Sequence, residues 1–124
     1  PSEATVLTSQ TTTSTTYADL ATTGPAVTVS TGTSAIVWFQ AQMENSSSTS
    51  ETSVSVAVSS ATTVAANDDW RILESGVGAG SVNRLGVVHR FTGLTAGSNI
   101  FTMKYRVSGG TGTFQRRSIL VLPL

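Results

Sequence analysis

The stretch Ser34–Met43, SAIVWFQAQM, decides the fold class of this chain. Apolar side chains occupy every second position from Ala35 to Met43, and the positions between them hold Ile36, Trp38 and two glutamines. A repeat of two residues is the spacing of a β-strand, because successive side chains of a strand point to opposite faces. The stretch therefore predicts a strand with one buried face and with Trp38 on the other face.

Shorter versions of the same pattern recur on both sides of this strand, and turns rich in glycine, serine or asparagine separate them. The further predicted strands are Ala26–Ser30, Ser53–Ser59, Thr62–Ala65, Trp70–Leu73, Val82–Phe91, Asn99–Val107 and Phe114–Leu124. About eight strands, spaced roughly 10–15 residues apart, are typical of a sandwich of two sheets. The sequence therefore predicts an all-β, antiparallel β-sandwich of the jelly-roll type.

The length of 124 residues suits one domain with its own core. We expect residues 1–16, which are rich in threonine and serine, to form an N-terminal arm or an edge strand, and residues 17–124 to form the sandwich. Pro1 is consistent with removal of an initiator methionine, which would make the chain complete and made in the cytosol. No apolar run approaches the roughly 20 residues of a membrane helix, so we expect no membrane partner.

Charge is divided unevenly along a chain whose net charge is zero. Six acidic residues and no lysine or arginine lie before Arg71, whereas seven basic residues and one acidic residue follow from Arg71 onward. Two interpretations are open: acidic and basic strands are neighbours in one sheet, or the acidic face of one subunit meets the basic face of another. The aromatic residues do not alternate with the bases as stacking platforms would, so we expect no nucleic-acid partner.

No set of residues suggests catalysis or a cofactor. His89 is the only histidine, and its strand pattern predicts a core or interface position rather than a general base. Asp68 and Asp69 are adjacent, which favours a turn over a calcium site, since a calcium site collects more oxygen ligands. Glu44 and Glu51 flank a serine-rich loop without forming a matched acid and base. The chain has no cysteine. We therefore predict a protein that builds or binds, with no catalytic, cofactor or metal site.

The predicted interface combines exposed aromatic residues with the end of the chain. Its last strand is apolar on both faces, so it requires cover on both sides, either as a central strand or against symmetry mates. An exposed indole is a common anchor of protein interfaces and is also able to stack on a sugar ring. The predicted interface residues are Trp38, Trp70, Arg116, Arg117, Ile119, Leu120, Val121 and Leu122.

Three stretches resemble small β-domains encoded by tailed bacteriophages, which occur as virion proteins or at the ends of tail and fibre proteins. They are STTYADLATTGPAVTVSTGTSAIV (14–37), SVSVAVSSATTVAANDDW (53–70) and FTGLTAGSNIFTMKYRVSGGTGTFQRRSILVLPL (91–124). The likeness implies a jelly roll similar to trimeric tumour-necrosis-factor-like or complement-globular-head domains, and it transfers no catalytic residue. The stretch GLTAGSNIFTMKYRV (93–107) also resembles a fibronectin type III module, which leaves that sandwich as the alternative fold.

The resemblance implies a structural protein of the phage virion, made in the host cytoplasm and placed on the capsid or tail surface. We expect a capsid decoration protein, with further copies of itself (a homotrimer) and the major capsid protein as partners. In this hypothesis the arm extends along a neighbour, and Arg116 and Arg117 pair with Asp68 or Asp69 of that neighbour. The alternative is the tip of a tail fibre that binds a receptor or a host surface glycan.

Overall fold

The computed structural model describes all residues from Pro1 to Leu124. It contains nine strands and a single turn of 3-10 helix at Asp68–Trp70. The strands are β1 (Ser2–Val6), β2 (Gln10–Thr12), β3 (Ala26–Thr31), β4 (Ala35–Asn45), β5 (Thr52–Ser60), β6 (Ile72–Glu74), β7 (Asn83–Phe91), β8 (Gly97–Val107) and β9 (Gly112–Pro123). A helix with the length and apolar character of a membrane span is absent from the structure.

The strands form two antiparallel sheets. The first sheet has the order β1-β9-β4-β7, with β2 also paired to β9, and the second has the order β3-β8-β5-β6. The chain passes from one sheet to the other between most successive strands, which is the connectivity of a jelly roll. The predicted all-β jelly-roll sandwich is therefore confirmed.

The core lies between the sheets and consists of 19 buried apolar residues. The inward face of β4 is the one that the sequence predicts, and Val37 and Phe39 on it are at most 1% exposed. It packs against the inward side chains of β5 and β8, which include Val56 and Phe101. The strict alternation of SAIVWFQAQM thus reflects a central strand with one face in the core.

A β-bulge in β9 determines which of the last residues face the core. The pairing of β4 with β9 shifts in register between Gln40 and Gln42, and Arg116 takes a positive φ of 48° at the same place. One extra residue reverses the alternation, so Ile119 points inward and Leu120 outward. β9 begins at Gly112, two residues before Phe114, where the sequence predicted the start of the last strand.

The N-terminal residues pair within their own subunit. β1 lies antiparallel to β9 with Ser2 opposite Val121, and β2 continues the edge with Gln10 opposite Phe114. The segment expected to be an arm or an edge strand is thus an edge of the first sheet. One edge of β1 bonds to β9, and its opposite edge has no partner strand.

Two predicted strands differ in the structure. Residues 62–65 do not form a strand, and only Val64 bridges to Val58. Trp70 ends the 3-10 turn, so the short strand that follows begins at Ile72. The side chain of Asn67 caps this turn, since its Oδ1 accepts a hydrogen bond of 2.8 Å from the Asp69 N–H.

Candidate interaction surface

The outward side chains of the first sheet form its candidate functional surface, which we call the outer face. Trp38 of β4 lies opposite Leu120 of β9 on one side and Val88 of β7 on the other. Glu3 of β1 completes the row beyond Leu120. Cross-strand neighbours on one face are about 5 Å apart, so these four side chains form one continuous row.

The outer face is apolar at its centre. Ile36 and Leu122 form the next row of β4 and β9, directly beside Trp38 and Leu120. Trp38 is 38% exposed and Val88 is 57% exposed. No other element of the chain covers these side chains, and a contiguous apolar patch of this kind is a candidate interaction site.

A groove of about 420 Å³ opens next to the Trp38 indole. It exists because Gly86 lies opposite Gln40 in the middle of β7 and contributes no side chain. A Cβ atom at this glycine would lie 3.3 Å from the Phe39 carbonyl oxygen. Gln40 donates a hydrogen bond of 2.8 Å to the Ser118 hydroxyl on the groove wall. A glycine inside a strand often marks close approach of a ligand or another chain.

The two edges of the outer face carry opposite charges. Glu3 is exposed on β1, whereas Arg84 and Arg90 are exposed on β7 at the far edge. None of these three residues belongs to any of the four salt bridges of the chain. A third exposed arginine, Arg116 at the bulge, donates a hydrogen bond of 3.3 Å to Gln42. The centre of the outer face is therefore apolar and its edges hold unpaired charge.

The second sheet differs, because the chain covers its outward face with its own residues 61–71. The Ser55 hydroxyl donates a hydrogen bond of 2.7 Å to the Asn67 carbonyl oxygen and accepts one of 3.1 Å from the Asn67 N–H. Ser53 and Ser55 are fully buried under this segment. Arg71 reaches back to the Ser53 hydroxyl at 3.2 Å. The outward face of the second sheet thus leaves no comparable apolar patch.

Charged side chains on the second sheet pair within the chain. Asp68 accepts hydrogen bonds from Arg106 Nη2 at 2.8 Å and Arg106 Nε at 3.2 Å, and from the Tyr17 hydroxyl at 2.6 Å. The hydrogen bonds from Arg106 and Tyr17 lower the pKa of Asp68. Burial, and then the bond to Asp68, raise the pKa of Tyr17 to about 12. Lys104 lies 2.6 Å from Asp19. Acidic residues from the first half of the chain therefore meet basic residues from the second half inside one subunit.

Three of the predicted interface residues are core residues. Ile119, Val121 and Arg117 are at most 1% exposed. Their assignment to an interface is corrected here, since the bulge turns them toward the interior. Arg117 is also not available to Asp68 or Asp69 of a neighbour, because its side chain is buried within its own chain.

The buried guanidinium of Arg117 has no carboxylate partner. It donates to the Gly24 carbonyl oxygen at 3.1 Å and to Gln10 Oε1 at 2.8 Å, and it lies 5.2 Å from the centroid of the Tyr105 ring. Its Nε has no hydrogen-bond partner. The Tyr105 hydroxyl donates to the same Gly24 carbonyl at 2.8 Å. This arrangement joins β2 and β9 to the segment before β3.

The other predicted interface residues divide between two places. Trp38, Leu120 and Leu122 lie together on the outer face, and Arg116 lies at its border. Trp70 is half-buried away from this face, and its indole N–H donates to the Val56 carbonyl oxygen at 2.9 Å. The sequence reasoning missed Glu3, Gly86, Val88 and Arg90, although Gly86 inside a strand pattern is a usable signal.

Residues considered for chemistry are not gathered into one site. His89 is half-buried, stacks on Trp70 and has its pKa lowered by burial. Glu74 is buried, and its burial raises its pKa while Asn83 donates a hydrogen bond of 2.9 Å to it. No group of three or more His, Cys, Asp or Glu side chains is positioned to hold a metal ion.

No protein-family model and no curated protein sequence matches the chain. Solved structures match its fold. A chain in the structure of infectious bursal disease virus, Gt strain, has a TM-score of 0.64 and 13% identity over 98% of this chain and 32% of that chain. A chain of the Gx strain of the same virus has a TM-score of 0.53 and 13% identity over 97% of this chain and 30% of that chain.

This chain therefore spans about a third of the length of those viral chains. At such low identity the likeness shows that the jelly-roll fold is shared with chains of a virus. The structure of Eiger TNF from S. frugiperda matches 96% of this chain and 93% of its own chain at 10% identity, with a TM-score of only 0.46.

Proposed function

We propose that this protein is a non-enzymatic structural protein of a phage virion, a capsid decoration protein that assembles with copies of itself through the outer face. The observation that carries the proposal is the uncovered apolar row of Trp38, Leu120 and Val88 on a jelly-roll sheet. The likeness of the fold to chains of a virus supports the placement on a virus particle.

The contrast between the two sheets supports assembly through one face only. The chain covers the second sheet with residues 61–71 and pairs Asp68 and Arg106 there. The outer face of the first sheet has neither cover nor charge pairing, so its apolar side chains gain most from a protein partner. Burying a side chain of the size of leucine stabilises by about 1.5–3 kcal/mol relative to leaving it exposed.

We infer further that the assembly is a trimer that reinforces contacts between major capsid proteins. In such an assembly Trp38 and Leu120 pack near the symmetry axis, and the covered second sheet faces outward. Aromatic anchors at the centre of an interface commonly dominate its binding energy.

The proposal is tested first by the mass of the protein in solution, measured by light scattering over a range of concentrations. We expect a trimer for the natural chain and a monomer for Trp38→Glu, since a carboxylate at the centre of an apolar interface is left unpaired. Leu73→Glu is the matched control, because Leu73 is 40% exposed on the second sheet. A monomeric natural chain, or equal behaviour of the two variants, would contradict assembly through the outer face.

Placement on the virion is tested by labelling purified particles with antibody and gold. We expect label over the whole head and none on the tail, with a fixed copy number that purified protein restores on depleted heads. Label confined to the tail would refute the decoration role.

A second candidate function is the receptor- or glycan-binding tip of a tail fibre. The groove beside Trp38 favours it, because an indole flanked by Gln40 and Ser118 offers both a stacking surface and hydrogen-bonding groups for a sugar. A glycan array probed with the natural chain and with Trp38→Glu tests it. Binding that requires Trp38 would support this candidate, and an array without hits would exclude the glycan.

A further inference from the structure

The distribution of charge on the outer face specifies how two copies meet. We infer that the acidic β1 edge of one copy, carrying Glu3, lies against the basic β7 edge of the next copy, carrying Arg84 and Arg90. The inference rests on the proposed self-assembly and adds the orientation of the contact.

The opposite edges cannot neutralise each other within one subunit. β9 and β4 separate β1 from β7, and three strand spacings amount to roughly 14 Å. Exposed charges this far apart are largely screened at physiological salt, where the Debye length is about 8 Å. Glu3 and the two arginines therefore remain available to a partner.

The register places Arg90 one row from Glu3, and Arg84 two rows from Glu3 in the other direction along β7. Glu3 belongs to the row of Leu120, Trp38 and Val88. Arg90 lies two residues from Val88 along β7, and long arginine side chains reach a neighbouring row. When the β1 edge of one copy lies beside the β7 edge of the next, Glu3 comes close to Arg90, and the apolar rows of the copies line the centre of the ring.

The shape of the outer face fits the same arrangement. Gly86 leaves the β7 half of the face open, and Leu7, which is 68% exposed, projects beyond Thr5 at the β1 half. A projecting edge and a recessed edge complement each other between copies but not within one copy. A contact that joins two different edges repeats around a ring when its rotation closes.

A glycan or a nucleic acid fits the charged edges less well than a second copy of the chain. A glycan would use the groove without requiring opposite charges at the two edges. A nucleic acid would require a continuous basic surface, whereas Glu3 and Glu44 interrupt this one.

The experiment reverses the charge at each of the two edges and follows association by analytical ultracentrifugation. We expect Glu3→Arg alone, and Arg84→Glu with Arg90→Glu, each to raise the concentration of half-dissociation by about tenfold or more, because like charges then face each other. We expect the triple variant to regain the natural value. Asp69→Arg is the matched control, since it makes the same charge change at an exposed residue on the covered side of the molecule.

The possible outcomes separate the orientation of the contact from the proposed self-assembly. Association that is unchanged by the single-edge reversals but abolished by Trp38→Glu would overturn the orientation and leave the proposed self-assembly intact. Loss in both single-edge variants without recovery in the triple variant would also overturn the orientation. A natural chain that stays monomeric at every concentration would overturn the proposed self-assembly, and glycan binding lost in Trp38→Glu would then assign the groove to a sugar.

Discussion

The imidazole of His89 stacks on the indole of Trp70, with the ring centroids 4.9 Å apart and the planes 20° from parallel. His89 belongs to β7 of the first sheet, whereas Trp70 bonds to the Val56 carbonyl oxygen of the second sheet. Phe91 meets both rings edge-on, at 4.7 Å from His89 and 5.3 Å from Trp70. The aromatic cluster thus joins the two sheets along their side at β7.

This stacking predicts that acidification weakens the fold. Burial lowers the pKa of His89 below its usual value of 6.5, so its contribution is fully present above about pH 6.5 and is lost as pH falls through the folded-state pKa. We expect His89→Phe, which keeps the ring and removes the titration, to lose less thermal stability than the natural chain between about pH 7 and pH 5. Differential scanning calorimetry at several pH values measures this difference.

The same comparison separates His89 from the carboxylates. The pKa of Asp68 is lowered, so its loss occurs at more acidic pH, and the raised pKa of Glu74 acts in the opposite direction in both proteins. Parallel stability curves for the two proteins would show that His89 has the same pKa in the folded and unfolded states, and would contradict the prediction.

We expect two substitutions of the buried Arg117 to change the stability of the protein in different ways. A buried guanidinium without a carboxylate bears a desolvation cost that its bonds to Gly24 and Gln10 offset only in part. We expect Arg117→Met to leave the free energy of unfolding unchanged or raised, since methionine fills similar space without charge. We expect Arg117→Ala to lower it by about 2–4 kcal/mol through the cavity it leaves.

Urea denaturation of both Arg117 variants provides the measurement. Because both variants remove the guanidinium, the difference between their free energies of unfolding measures the contribution of the filled volume alone. A methionine variant as unstable as the alanine variant would mean that the guanidinium bonds, rather than the filled volume, hold β2 and β9 to the segment before β3.

We expect substitution of Asp68 to lower the free energy of unfolding only modestly. Asp68→Asn weakens the bidentate bond to Arg106 and the bond from Tyr17. Since the Asp68 side chain is 48% exposed, solvent screens the interaction, and we expect a cost of about 0.5–1 kcal/mol at neutral pH. The cost disappears as pH falls through the lowered pKa, because the natural carboxylate is then protonated as well.

Asp69→Asn is the control for this measurement, since the Asp69 side chain belongs to no salt bridge. Its effect on the free energy of unfolding is expected to stay within about 0.5 kcal/mol. Equal losses in the two variants would attribute the effect to the 3-10 turn rather than to the bonds with Arg106 and Tyr17.

Several elements were predictable because their patterns are local. Alternation over residues 34–43 fixes both the strand and its buried face, since a strand with one face in a core cannot shift by one residue. The pattern of residues 62–65 was too weak to predict the structure there, because the chain turns at Ala61 and only Val64 bridges to Val58. The fibronectin alternative was rejected only by the strand order of the two sheets.

By itself the sequence determined that the chain is all-β, that Trp38 opposes the core face of its strand, and that acidic and basic residues occupy different halves. Only the tertiary structure decided which of those charges pair, since Asp68 and Arg106 are 38 residues apart in the chain. It also decided that Arg117 is buried while Leu120 is half-buried on the outer face, because one extra residue at the β9 bulge reverses the alternation. Local patterns follow from backbone geometry, whereas the outer face is assembled from β1, β4, β7 and β9, and its composition depends on which strands become neighbours.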